Sequence, residues 1–216
     1  MKYDIIKAKI KECFRNVTLK KSLKCIGIVI GGLYILLVLI RIPYVYKEGK
    51  TAEQVTKIHA DKLDPIDVMG ENLPPDPGEK ADLTVQGIDA NNNGIRDDVE
   101  LAIFKKYPYS AKARAAMLQY AHALQMETTE TMVNEGTAIA VAQERSRASG
   151  CIGKTVSRDD LAKFIEKTQE YRSFVKSQQI NTTEREKDEE TFLSHLRSYS
   201  DITGENCDIK LNELPN

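Results

Sequence analysis

An uncharged apolar run near the N-terminus limits most strongly what this chain can fold into. Residues 25–40 read CIGIVIGGLYILLVLI and contain no charged side chain. Crossing the hydrocarbon core of a membrane takes roughly 20 apolar residues. The run can extend through Arg41 to Tyr46, because an arginine can carry its charge to the headgroups and tyrosine suits the interface. The sequence therefore predicts a single transmembrane helix over residues 25–46.

The residues around this run favour an uncleaved signal anchor over a cleaved signal peptide. A cleaved peptide needs a shorter apolar core and a small-x-small cleavage site, whereas Ile40 is followed by RIPYVYKEGK. Eight Lys or Arg residues precede Cys25, and three follow the run closely (Arg41, Lys47 and Lys50). Because positive residues stay on the cytoplasmic side, we expect a cytoplasmic N-terminus in the inner membrane and a periplasmic or extracellular C-terminal domain.

Charge is distributed unequally along the chain. Residues 1–42 carry nine basic and two acidic side chains, and the remainder carries 22 basic and 30 acidic ones. An acidic body lacks the concentrated positive face that phosphate backbones require, which argues against nucleic acid as a partner. A mean hydropathy of −0.41 excludes a multi-pass membrane protein.

Composition divides the chain into four segments. We expect a basic cytoplasmic tail over 1–24, the anchor over 25–46, a stalk and Pro/Gly-rich linker over 47–82, and an exported domain over 83–216. Four of the seven prolines fall within residues 64–82. Because proline fixes φ and lacks an N–H donor, we expect neither a helix nor a central strand in that linker.

From Asp97 onward the spacing of apolar residues is helical. Residues 161–175 give the clearest amphipathic stripe. Residues 157–160 (SRDD) and 183–186 (TERE) match capping boxes, and the glycines that flank Cys151 predict the end of a helix there. The predicted fold class is mainly α: one N-terminal transmembrane helix, then an irregular loop, then a small domain of four or five packed helices.

One segment carries recognisable chemistry. Residues 89–100 read DANNNGIRDDVE and match the pattern D-x-[DN]-x-[DN]-G-x5-E in full. Calcium takes six to eight oxygen ligands, and Gly94 permits the sharp turn that such a loop needs. The sequence predicts Ca²⁺ as cofactor, with its ligands in the side chains of Asp89, Asn91, Asn93, Asp97 and Glu100 and in the backbone carbonyl of Ile95.

The segment resembles the unpaired EF-hand-like calcium loops of dockerin and thrombospondin type 3 repeats. The stretch PPDPGEKADLTVQGIDANNNGIRDDVE also looks like segments of exported bacterial proteins, and the resemblance covers about residues 74–105. It departs from a paired EF-hand because prolines precede the loop and Arg96 takes the place of the apolar residue that pairs two loops. The resemblance therefore implies an ion that fixes loop geometry, bound in the weak range on the order of 10⁻⁴–10⁻³ M.

An Asn-rich turn is the alternative interpretation of the same residues. Asn93-Gly94 is by itself a strong hairpin signal. However, a hairpin needs alternating strands on both sides, and the residues from Asp97 onward are helical in pattern. The turn also leaves the oxygen-bearing residues at the calcium offsets unexplained, so calcium is the preferred prediction.

The predicted membrane topology indicates which of the four cysteines can be oxidised. Cys13 and Cys25 fall in the cytoplasmic and membrane segments, where oxidation is not expected. Cys151 and Cys207 both lie in the exported part, where two thiols can form a disulfide. Spacing alone leaves the disulfide and two free thiols open.

No hydrolase, Walker or dinucleotide motif occurs, and the three histidines are scattered through the sequence. The preferred prediction is a single-pass membrane protein, not an enzyme, whose calcium-stabilised helical domain interacts with a protein or envelope partner. One alternative is an envelope hydrolase in which calcium is only structural. Another is an assembly subunit whose anchor and basic tail are the working parts.

Overall fold

The computed structural model describes residues 2–197 and 204–215 and contains two compact units, Met1–Gly49 and Lys50–Asn216. Among residues 2–25 it describes only the side chains of Ile5 and Lys21. The predictions for the basic tail and for Cys13 and Cys25 therefore lie outside the described side chains. The α-helices are α1 Lys2–Ala60, α2 Pro65–Met69, α3 Asp97–Lys106, α4 Ala111–Thr129, α5 Glu135–Lys154, α6 Leu161–Gln179 and α7 Thr183–Ser194.

The first unit is the N-terminal part of α1. Within the described residues, one helix is long and apolar enough to cross a membrane, and its most apolar window has a mean hydropathy of 2.3 and no buried residue. A membrane anchor and a signal sequence share these properties. The apolar helix that the sequence predicted is thus present, with its apolar side chains exposed along residues 26–46.

The second unit is built around α4. Nearly every residue from Ala111 to Glu127 is buried, because α2, α3, α5, α6 and α7 all pack against this helix. Because α4 is buried on all sides, it shows no single amphipathic stripe. Its sequence is rich in alanine. Two short 3₁₀ helices, Gly78–Asp82 and Leu211–Glu213, complete the unit, and the described residues contain no strand. The mainly helical class is confirmed for this part of the chain, with five α-helices after the loop.

Residues 50–82 belong to the second unit, whereas the sequence predicted a stalk and linker. Ile58, Leu63 and Val68 are buried in its core. The expectation that proline excludes a helix here is wrong: Pro65 occupies the first position of α2, where the missing N–H has no acceptor in any case. The Asp64 side chain caps this helix by accepting from the Ile66 N–H at 2.9 Å.

Three helix ends also differ from prediction. The cap of α6 is Asp160, which accepts from two backbone N–H groups, and that of α7 is Thr182 rather than Thr183. Helix α5 continues past both glycines to Lys154. Gly150 serves close packing instead of helix termination, because a Cβ there would lie 2.5 Å from the side-chain nitrogen of Asn206.

Glu127 and Arg145 join α4 to α5 through an ion pair that gives the domain a pH dependence. The pair is 2.9 Å long and the Glu127 side chain is buried. Burial raises the pKa of Glu127 to about 7 in spite of the guanidinium. The folded state therefore holds this proton more tightly than the unfolded state, so the domain loses stability as pH rises from about 4.5 to about 7.

We expect Glu127→Gln to remove this component, which amounts to about 3 kcal/mol of unfolding free energy across the interval. Urea unfolding of the wild type and the variant at pH 5, 6 and 7.5 measures it. The matched control is Glu190→Gln, at an exposed position of α7. A wild type and a Glu127→Gln variant whose stabilities fall in parallel would contradict the prediction.

Candidate metal centre

Residues 89–96 are irregular and lead directly into α3, which contains the remaining residues 97–100 of the predicted calcium loop. Ile95 and Val99 are fully buried and anchor the loop in the core. Asp97 and Glu100 lie in the first turn of α3, where the helix dipole favours negative charge, and both are buried. The start of α3 therefore buries two carboxylates beside the apolar side chains of Ile95 and Val99.

Asp89 closes the loop by bonding its backbone. Its two carboxylate oxygens accept from the N–H groups of Asn93 at 3.1 Å and Gly94 at 2.9 Å. The Asn93 side-chain oxygen accepts in turn from the Ile95 N–H at 3.0 Å. These bonds hold the backbone of residues 89–95 in a tight turn that does not depend on flanking strands.

Gly94 fits this turn for two reasons. Its φ is +76°, in the left-handed region where side chains are disfavoured. In addition, a Cβ at this position would lie 2.4 Å from Nε2 of His122, a buried residue of α4. The loop therefore packs closely on the central helix at a position where a side chain would clash with His122.

Glu100 accepts hydrogen bonds from two asparagine side chains. Its Oε2 accepts from Nδ2 of Asn91 at 3.1 Å and from Nδ2 of Asn93 at 3.0 Å. The side chain is completely buried, and burial raises its pKa to about 7 against the lowering effect of these two amides. Three of the predicted ligand residues are thus brought into direct contact.

Three oxygens of the loop are buried without a hydrogen-bond donor. They are Asn91 Oδ1, Asp97 Oδ2 and Glu100 Oε1, and all three belong to residues that the sequence predicted as ligands. The other oxygen of Asp97 accepts from the Ala90 N–H at 2.9 Å, and burial raises the pKa of this carboxyl. A buried polar atom without a partner costs about 1–3 kcal/mol. The three unpartnered oxygens of this loop therefore lower the stability of the fold.

The described residues contain no group of three or more His, Cys, Asp or Glu side chains arranged to hold a metal ion. The predicted ligand set contains only three carboxylates, and two of them, Asp89 and Asp97, accept hydrogen bonds from backbone N–H groups of the loop. The remaining predicted ligands are amide and carbonyl oxygens. Ile95 contributes a buried side chain and an N–H donor to the loop.

Arg96 is a key residue of the site that the sequence did not reveal. It is the largest fully buried side chain of the described residues. Its guanidinium binds both oxygens of Asp98, at 2.8 and 2.5 Å, and donates to the backbone carbonyls of Gln179 at 2.8 Å and Gln178 at 3.2 Å. Arg96 therefore joins the loop to the C-terminal end of α6, whose last carbonyls otherwise lack donors.

A second buried arginine holds the segment that precedes the loop. Arg185 of α7 donates to the carbonyls of Val85 at 3.0 Å, Ala81 at 2.6 Å and Thr84 at 3.1 Å. It also forms an ion pair with Asp82 at 2.5 Å, and this contact lowers the pKa of that carboxyl. The chain that enters the loop is thus fixed by side-chain donors in place of the entering helix of an EF-hand.

A disulfide joins Cys151 of α5 to Cys207, the two cysteines for which the sequence left a bridge and two free thiols open. The C-terminal segment around Cys207 is also held by hydrogen bonds from Gln119 to Asn206 O at 2.8 Å and from the Asp208 N–H to Gln119 at 3.0 Å. Asp208 itself forms ion pairs with Arg147 and Lys62. The bridge thus lies within a network that fastens the C-terminal segment to the domain.

The described histidine contacts do not assemble a reactive centre. His59 contacts Glu144 at 2.8 Å, but this carboxylate also binds Lys62 and Arg147 in a structural ion network. His122 lies 3.4 Å from Asp61 and is buried beneath Gly94, outside the lining of the surface cavity beside the loop. These contacts give both histidines structural partners.

Comparison of the chain with protein-family models, with curated proteins and with solved structures finds no match.

Proposed function

We propose that this protein binds a calcium ion through oxygens between Asp89 and Glu100, and that the ion stabilises the helical domain. The observation that carries the proposal is the set of three buried, unpartnered oxygens on Asn91, Asp97 and Glu100. Oxygen is the ligand that Ca²⁺ prefers, so these residues fit the ion chemically. When bound, the ion would supply the positive charge that a fully buried carboxylate needs.

The asparagine amides would allow the loop to rearrange its side chains when a cation binds. An amide carries an oxygen on one side and an NH₂ group on the other, so a half-turn of the group exchanges them. The NH₂ groups of Asn91 and Asn93 now neutralise part of the Glu100 charge. A cation would take over that role and would favour the amide oxygens instead.

We further propose that an N-terminal membrane anchor holds this domain outside the cytoplasm, where it interacts with a protein or envelope partner. The exposed apolar side chains of residues 26–46 support the anchor. The Cys151–Cys207 bridge supports an oxidising compartment, because disulfides persist there. The structural placement of His59 and His122 supports interaction over catalysis.

The ion proposal is tested by thermal unfolding of the full-length chain in nonionic detergent, with 10 mM CaCl₂ or with EDTA. A Kd on the order of 10⁻⁴ M implies about 2.7 kcal/mol of stabilisation at a hundredfold excess of calcium. For a unit of this size that corresponds to a rise in melting temperature of about 5–10 °C.

Glu100→Gln is the matched variant. It removes the buried charge, so we expect its melting temperature in EDTA to equal or exceed that of the wild type. We also expect its response to calcium to be lost. A wild type whose melting temperature is the same with calcium and with EDTA, or a Glu100→Gln variant that keeps the full calcium response, would refute the proposal.

A further inference from the structure

We propose that Asp67, a residue of α2 outside the twelve-residue loop, supplies a fourth carboxylate to the cation site. This inference rests on the proposed calcium function. A surface cavity lies between the loop and the segment around α2. One wall of the cavity is formed by Asp89 and residues 91–94, and the other by Asp61, Lys62, Asp64, Ile66, Asp67 and Asn72.

Asp67 is a buried acid without a counter-charge. Its exposed fraction is 6%, and its side chain accepts one hydrogen bond, from Nδ2 of Asn72 at 3.2 Å. Within the described part of the chain it forms no ion pair, and the nearby Lys62 is committed to Glu144 at 2.8 Å and Asp208 at 3.7 Å. Buried carboxylates are normally paired with a cation or bound to a metal, so Asp67 has the character of a metal-site residue.

Asn72 connects Asp67 to the loop. Its side chain donates to Asp67, and its backbone carbonyl accepts from Nδ2 of Asn91 at 2.7 Å. Asn91 also donates to Glu100 at 3.1 Å, so one chain of hydrogen bonds leads from Asp67 to Glu100. The end of α2 is fixed in this position because Arg114 donates to the carbonyl of Val68 at 3.2 Å.

The unmet acceptors on the loop point to a ligand independently of Asp67. Asp97 and Glu100 are each at least nine-tenths buried and each has one oxygen without a donor. The loop sequence contains three acidic residues, and Asp67 is a further acid that lines the same cavity as Asp89 and Asn91. Because the affinity of a calcium site rises with its ligand charge, Asp67 should bring the ion to a tighter Kd than the loop alone would reach.

The test is isothermal titration of CaCl₂ into the full-length chain in nonionic detergent. Asp67→Asn keeps the shape and the acceptor for Asn72, so only the charge is removed. We expect its calcium affinity to fall about tenfold, as is usual when a residue supporting a metal site is changed. The matched control is Asp64→Asn, which removes the same charge from an exposed residue of the same cavity and keeps the cap of α2. We expect this control to bind within threefold of the wild type.

The outcomes separate this inference from the function on which it rests. Equal affinities for the wild type and Asp67→Asn, or an equal loss in both variants, would overturn the role of Asp67 and leave the calcium function standing. A wild type that binds no calcium would end both. Melting temperatures in EDTA report folding, and Asp67→Ser, which keeps an acceptor for Asn72, is the second variant. If neither Asp67 variant folded, the carboxylate would serve the fold and the inference would be wrong.

Discussion

Replacing Arg96 with methionine should lower the free energy of unfolding by about 3–5 kcal/mol, because it removes four hydrogen bonds of a buried guanidinium that are each worth about 1 kcal/mol. The guanidinium is fully buried and its donors are spread over Asp98 and the last carbonyls of α6. Methionine fills much of the volume but leaves these acceptors without donors. The loss corresponds to a fall in melting temperature on the order of 10 °C.

Two further variants identify the cause of this loss. Arg96→Lys keeps the charge but cannot reproduce the forked contact with Asp98, so we expect an intermediate stability. Adding Asp98→Asn to Arg96→Met should recover part of the loss, because the uncompensated carboxylate is then removed. The matched control is Arg158→Met, at an exposed position before α6. Urea unfolding of all variants in EDTA measures these differences without any contribution from calcium.

Arg96 also lies within the loop, so the same variant should weaken calcium binding. The loop then loses its attachment to α6. Ordering the loop costs free energy when the ion binds, and this cost lowers the calcium affinity. An Arg96→Met variant as stable as the Arg158→Met control would show that the buried guanidinium contributes nothing to the fold, contrary to this prediction.

Local sequence patterns were sufficient to predict the features that depend on residues close together in the chain. The apolar helix follows from sixteen uncharged residues, and the burial of Val99 and Ile103 follows from helical spacing. The loop residues Asn91, Asn93 and Glu100 were selected by their offsets, and hydrogen bonds link them in the structure. In each case the residues concerned lie within sixteen positions of each other.

Features that depend on distant contacts were not predictable in this way. Arg96 and Asp67 are charged, and charged residues are seldom buried, so nothing local marks either of them as buried. Arg96 is buried because the end of α6, more than 80 positions away, supplies its acceptors. The Pro-rich segment joins the domain for a similar reason, since Leu63 and Val68 pack into a core formed mostly by later helices.

The periodicity of α6 was misleading for a different reason. Leu161 and Ile165 continue the apolar stripe of this helix, yet their exposed fractions are 68% and 57%. Burial begins further along the helix, at Thr168, and continues at Tyr171 and Val175, where α6 meets α3 and α4. A stripe therefore identifies the face of a helix but not the length over which a neighbour covers it.

Reducing the Cys151–Cys207 bridge should destabilise the domain by about 4 kcal/mol. The two cysteines are 56 positions apart, and closing a loop of that length restricts the unfolded chain by about this amount in the chain-entropy model. We expect urea unfolding with dithiothreitol to reproduce the stability of a Cys151→Ala/Cys207→Ala double variant. Dithiothreitol should leave the double variant itself unchanged, which excludes effects through Cys13 and Cys25.

The same bridge reports the compartment of the domain in cells. If residues 50–216 are exported, two cysteines are oxidised, and a maleimide polymer added after denaturation should label only Cys13 and Cys25. If the domain stays in a reducing compartment, all four cysteines should be labelled, because thiols there are kept reduced. The double variant sets the position of the two-label band on the gel. Four labels on the wild type would therefore rule out the proposed topology, and they would do so without affecting the calcium measurement.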